Sequence, residues 1–119
     1  MKIIDHVIHL KTQDPVKMGK FISGLLDCRM HKDSENSILI NRDGMKLKFS
    51  SLNSREIDSG AYIEVGFKSS IEVDQFYQKF QFLKYSLKDE SFNLVDVGDS
   101  MRYFKFSDCE RRVWKFYVS

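Results

Sequence analysis

Side chains suited to chemistry are thinly spread in this sequence. His6 stands in the stretch Ile3-Ile4-Asp5-His6-Val7-Ile8-His9-Leu10, whose alternation puts it on one face with Ile4, Ile8 and Leu10. An imidazole there can serve as acid, base or ligand donor. A histidine on an apolar strand face also reads as a hydrogen-bonded core residue. His9 falls on the opposite face and reads as packed or at a helix edge. Glu64 shares a face with Tyr62, and Lys115 shares one with Tyr117. Each pairing sets a charge beside a ring with a polar tip, which suits the wall of a cleft. Lys46 and Lys48 alternate with Met45, Leu47 and Phe49, so the two ammonium groups point away from the apolar side of their strand. Neither Cys28 nor Cys109 belongs to a CxxC, and the pair reads as reduced thiols in a reducing compartment. Cys28 reads as a small buried filler, Cys109 as an exposed turn thiol, and Arg111 and Arg112 beside it as solvated.

The elements that must position these groups fit one chain of 119 residues, long enough to bury a core of its own. Lys and Arg number 19 against 17 Asp and Glu, and the charges are mixed along the chain rather than blocked. No basic tail or stripe exists, which argues against a nucleic-acid partner. The apolar runs are too short to cross a bilayer, and the first residues lack a leader's pattern. A cytoplasmic protein with no membrane partner is the expectation.

Residues 3 to 11 alternate as a strand. Asp14 is a good helix N-cap and Pro15 suits the first helical position. Met18, Phe21, Ile22, Leu25 and Leu26 then form one apolar stripe, which Asp27 ends. Gly19 and Gly24 weaken this helix by about 1 kcal/mol each relative to Ala, so packing must hold it. Three short strands follow: 29 to 32, 37 to 41 and 45 to 50, the last two joined by Asp43-Gly44, a tight-hairpin signal. Residues 51 to 60 are polar and read as a linker. The plan then repeats. Tyr62 to Phe67 is a strand, Ser69 and Glu72 have capping-box spacing, and Val73, Phe76, Tyr77, Phe80 and Leu83 form a second stripe. The stripes superpose at an offset of 55, Met18 on Val73 and Phe21 on Phe76. Phe92 to Val97 has strand character, and 101 to 107 and 112 to 118 close as a hairpin around Asp108-Cys109-Glu110-Arg111. Each half therefore reads β-α-β-β-β, the pattern of an α+β fold.

This order resembles the vicinal-oxygen-chelate superfamily, which includes glyoxalase I, bleomycin-resistance proteins and extradiol dioxygenases. The residues carrying the resemblance are Ile4-Asp5-His6-Val7, Phe21 to Leu26, Asp43-Gly44 and the final hairpin from Tyr103 to Asp108. It implies one domain over 1–119, with module one at about 1–50, a linker at about 51–60 and module two at about 61–119. The modules are expected to form a curved, partly closed mixed β-sheet barrel with helices outside and a cleft within. Metal-dependent members ligate a divalent ion at four inward positions. By carry-over these fall on His6, on Lys46 or Lys48, on Glu64 and on Lys115, with Trp114 or Phe116 replacing Lys115 if the alignment slips by one. An ammonium group has no lone pair to donate, so the expectation is no metal and no cofactor.

The resemblance implies a non-metal small-molecule-binding protein, with its ligand held in the cleft by His6, Ile8, Lys46, Lys48, Tyr62, Glu64, Lys115 and Tyr117. The lysines favour an anionic group on that ligand, and a homodimer is expected. Whether the chain catalyses anything stays open; His6 or Glu64 would be the base. The alternatives are a metal-dependent lyase, isomerase or dioxygenase, drawing further ligands from His9, Glu90 or a partner chain, and an interaction module with a filled barrel.

Overall fold

The structure, a computed structural model, describes residues 1–3, 5–51 and 61–119. The expected linker lies almost wholly outside the described residues, as does Ile4. The chain divides into two compact units, Met1–Asp58 and Ser59–Ser119.

In the first unit the elements are β1 (Ile8–Thr12), α1 (Pro15–Leu26), β2 (Met30–Ser34), β3 (Ser37–Arg42) and β4 (Met45–Ser51). They form a four-stranded mixed sheet of order β1-β4-β3-β2, with β1 parallel to β4 and the other pairs antiparallel. The local signals act as their chemistry requires. Asp14 caps α1 by accepting the Lys17 N–H at 3.0 Å, Pro15 opens the helix, and Asp27 ends it in the left-handed conformation at φ 54°. Asp43 and Gly44 both take positive φ, 50° and 81°, as a two-residue hairpin turn with matching twist requires. The stripe of α1 is fully buried, and it covers a sheet face carrying Leu10, Ile38, Ile40, Leu47 and Phe49. Gly19 is where helix and sheet come closest: a Cβ there would lie 2.8 Å from the Ile38 Cγ2.

The expected strand from residue 3 is shorter than its alternation implies. The described pairing with β4 runs over Ile8–Thr12, with Ile8 beside Leu47, and stops there although β4 begins two residues earlier at Met45. Alternation says which residues share a face and not how far a ladder extends.

The second unit repeats the order: β5 (Tyr62–Phe67), α2 (Ser70–Leu87), β6 (Asn93–Val97), β7 (Tyr103–Ser107) and β8 (Val113–Val118), with a short 3₁₀ turn at Asp99–Met101. The sheet order β5-β8-β7-β6 matches the first, with β5 parallel to β8. Ser69 caps α2 by accepting the Glu72 N–H, and Glu72 reaches back to accept the Lys68 N–H. The core beneath α2 is aromatic: Phe76 and Phe80 pack with Phe104, Phe106 and Phe116, and Trp114 stacks on Phe106 with ring centres 5.9 Å apart. β6 is an edge strand left exposed throughout. The fold is therefore α+β, two four-stranded mixed sheets each packed by one helix.

Arg112 corrects the expectation of a solvated turn. It is fully buried beside Asp108, with the Asp108 Oδ2 3.6 Å from its Nη1. Asp108 also accepts the Glu110 and Arg112 backbone N–H groups at 2.8 and 3.0 Å and the Trp114 Nε1–H at 2.9 Å. A carboxylate with this many donors fixes the turn that sets the register of β7 on β8. Cys109 and Cys28 are each half-buried, between the extremes expected for them.

Candidate functional site

Each helix covers one face of its sheet and leaves the other open, so strand parity decides which side chains any ligand can meet. In the first unit, residues opposite one another on β2, β3, β4 and β1 place His31, Leu39, Lys48 and His9 in one row on the open face. Ile8 is in register with Leu47 and belongs to the helix side, 42% exposed at the end of the strand. His6 precedes the strand, is exposed, and its backbone N–H bonds to the Asp5 carboxylate at 3.0 Å. The four residues expected together in module one are thus divided: Lys46 and Lys48 stand on the open face, Ile8 on the other, and His6 outside the sheet.

His9, expected to be packed or at a helix edge, is exposed on the open face beside Lys48. The internal repeat contained the signal for it. The offset of 55 that superposes the helical stripes carries His9, not His6, onto Glu64. The parallel pairs agree, since His9 faces Lys48 as Glu64 faces Lys115.

Both lysines of this face are neutralised. Lys46 Nζ lies 2.7 Å from the Asp5 Oδ1, and Lys48 Nζ lies 2.7 Å from the Asp33 Oδ2. The hydrogen bond from each lysine, more than any other cause, holds the partner carboxyl below the usual range; His9 adds a weaker pull on Asp33. Asp33 is two residues on from His31 along β2, a spacing that puts both on the open face with Lys48.

The open face of the second sheet is different. Glu64, Lys115 and Lys105 are in register across β5, β8 and β7, and Asp96 of β6 continues the row. Tyr62, Tyr103 and Tyr117 surround it. Glu64 and Lys115 are thus neighbours on adjacent strands, yet among the described residues neither forms an ion pair within 4.0 Å. Lys115 Nζ instead lies 5.1 Å from the centre of the Tyr103 ring and 5.6 Å from that of Tyr117. Lys105 Nζ lies 5.6 Å from Tyr103 and 5.9 Å from Tyr62. These are cation–π distances.

Two glycines seat these rings. A Cβ on Gly98 would lie 2.4 Å from Tyr103 ring carbons, and one on Gly66 would lie 3.1 Å from the Tyr117 Cζ. The Tyr103 hydroxyl donates to the Asp96 Oδ2 at 2.7 Å, and that bond raises the phenol above its ordinary value of 10.0. Sequence reasoning named Tyr62, Glu64, Lys115 and Tyr117 but missed Lys105, Tyr103 and Asp96. Lys105 alternates with buried Phe104 and Phe106 in the sequence, and that alternation marks it as open-faced.

The parallel pairs set an imidazole beside an ammonium group in the first unit (His9 and Lys48) and a carboxylate beside an ammonium group in the second (Glu64 and Lys115). Among the described residues no three His, Cys, Asp or Glu side chains are grouped as metal ligands. An ammonium group has no lone pair to give a divalent ion, so each of these pairs offers one donor.

No family model matches the sequence, and no curated protein matches it. Solved structures do match its fold. A hypothetical protein from S. aureus is 17% identical, with 100% of this chain and 96% of that chain covered and a TM-score of 0.67. A mutant of the fosfomycin resistance protein FosX from Listeria monocytogenes, complexed with Mn(II) and a dihydroxypropylphosphonic acid, is 14% identical over 100% and 91%, with a TM-score of 0.72. A glyoxalase/bleomycin resistance protein/dioxygenase family enzyme from Burkholderia phytofirmans is 11% identical over 94% and 95%, with a TM-score of 0.69. Likeness at this identity speaks for the fold and not for the reaction. Among the described residues no helix is long and apolar enough to cross a membrane. By element order, sheet topology and structural likeness, the chain has the paired-module fold of the vicinal-oxygen-chelate superfamily.

Proposed function

We propose that this chain is a cytoplasmic small-molecule-binding protein that works without a metal and holds an organic anion on the open face of its C-terminal sheet. One observation carries the reading: Lys105 and Lys115 stand side by side and, among the described residues, have no carboxylate in ion-pair contact, whereas Lys46 and Lys48 are each neutralised. Tyr62, Tyr103 and Tyr117 supply apolar area with polar tips, and Glu64 can accept a hydroxyl or amine proton of the ligand. His6, Ile8, Lys46 and Lys48 fall outside this reading for the reasons of parity and pairing given above.

Native mass spectrometry of freshly purified protein, joined to thermal-shift measurement with divalent ions, tests it. The expected result is a homodimer without stoichiometric metal, unmoved by Mn, Ni, Zn or Fe and stabilised by organic anions. Saturable stabilisation by one of those ions would overturn the metal-free reading and favour a metal-dependent enzyme like the Mn(II)-bound neighbour, completed by donors from a partner chain.

A further inference from the structure

The geometry points to a doubly charged oxyanion as the group recognised on this face, an organic phosphate, phosphonate or dicarboxylate bridged between Lys105 and Lys115. This rests on the binding face proposed above and says what that face is built to hold.

Lys105 and Lys115 are directly opposite one another in the antiparallel β7–β8 ladder. Their Cβ atoms are therefore about 4.5–5.5 Å apart on the same side of the sheet, an arrangement that is unfavourable for like charges. Nevertheless, among the described residues neither lysine forms an ion pair within 4.0 Å. Glu64 is in register beside Lys115 but outside ion-pair reach, and the Asp96 carboxylate is engaged by the Tyr103 hydroxyl. Both ammonium groups lie within 5.6 Å of the centre of the single Tyr103 ring, so both are held over one small area.

That ring is itself fixed. It lies against Gly98, where any side chain would collide with it, and its hydroxyl is tied to Asp96. Tyr117 is seated in the same way over Gly66 and holds Lys115 from a second side. Two cations placed by rigid rings have less freedom to lose on binding than solvated lysines have. A monoanion leaves one ammonium group unanswered. Two separate monoanions lose translational freedom twice, whereas one dianion meets both charges at once. Glu64, at the end of the row, disfavours a further negative charge there and accepts from a hydroxyl or amine on the ligand.

Isothermal titration calorimetry of the full chain at constant ionic strength and mildly alkaline pH tests the proposal, with inorganic phosphate, methylphosphonate, malonate and acetate as probes. The three dianions are expected to bind roughly tenfold or more tightly than acetate, with Lys105→Gln and Lys115→Gln each losing that margin and Lys20→Gln, on α1, keeping it. A preference for phosphate and methylphosphonate over malonate assigns a tetrahedral group, and the reverse a dicarboxylate. Acetate binding as tightly as malonate, with both lysine variants still sensitive, overturns the bridged dianion and leaves an anion-binding face. Heats that never saturate with any probe, and that are unchanged in either variant, overturn both. Unfolding midpoints equal to wild type separate loss of the site from loss of the fold.

Discussion

Replacing Asp108 by Ala removes the acceptor that organises the β7–β8 turn, and its cost follows from the contacts of one carboxylate. Asp108 accepts two backbone N–H groups and the Trp114 indole N–H and faces the Arg112 guanidinium, with both charged side chains fully buried. Breaking a buried ion pair from one side costs about 3–5 kcal/mol, since the remaining charge stays in the interior without its counter-charge. That is a large share of the 5–15 kcal/mol typical of a folded domain. Urea unfolding followed by tryptophan fluorescence is the suitable assay, because Trp114 is the only tryptophan and sits in the cluster itself. Asp108→Ala is expected to lower the unfolding free energy by about 3–5 kcal/mol. Asp108→Ala combined with Arg112→Met is expected to regain part of the loss by removing the buried charge that Asp108 faced, though the indole and backbone donors stay unanswered. A single variant costing under about 1 kcal/mol, or a double variant no more stable than the single, would refute the assignment of Asp108 as a buried charge anchor.

Three further outcomes follow from particular contacts. Asp96→Asn removes the charged acceptor that holds the Tyr103 proton, so this phenol, raised above 10.0 in the native protein, is expected to ionise at lower pH in an ultraviolet titration. The stability this bond contributes is present below pH 10.0 and disappears as pH rises through the native value. In Lys48→Met the Asp33 carboxyl, held below 3.8 chiefly by the Lys48 hydrogen bond, is expected to titrate closer to 3.8 in a carbon NMR experiment. The contribution it loses is the one present above that pH and absent once pH falls through the lowered native value. Gly19→Ala adds helix propensity of about 1 kcal/mol but places a methyl 2.8 Å from the Ile38 Cγ2, inside the packed helix–sheet interface. A net loss of stability in thermal unfolding is expected; a gain would show that β3 yields freely.

Much of the fold was legible because its signals are local. Asp14-Pro15 and Ser69 with Glu72 mark helix starts through side-chain caps, and Asp43-Gly44 marks a hairpin through backbone conformation. The repeat at an offset of 55 told that one plan was used twice. The candidate site was half legible. The resemblance named Glu64 and Lys115, and alternation, which says which residues share a face of one strand, set Tyr62 and Tyr117 beside them; the structure puts all four on one sheet face. The same reasoning placed Ile8 with Lys46 and Lys48, because alternation cannot say which face of one strand aligns with which face of another. That depends on the register of β1 on β4, and a shift of one residue exchanges the two faces.

The sequence by itself determined the element order, the caps, the aromatic core of the second module and the scarcity of metal donors, all of which depend on residue type and near spacing. Only the tertiary structure decided that Arg112 is buried against Asp108, and that Lys46 and Lys48 are neutralised while Lys105 and Lys115, among the described residues, form no ion pair. Asp33 finds Lys48, and Tyr103 finds Asp96, Gly98 and both open-face lysines, across strands whose pairing no local pattern encodes. Charge state and exposure are properties of those pairings, and they become defined only when the ladders close.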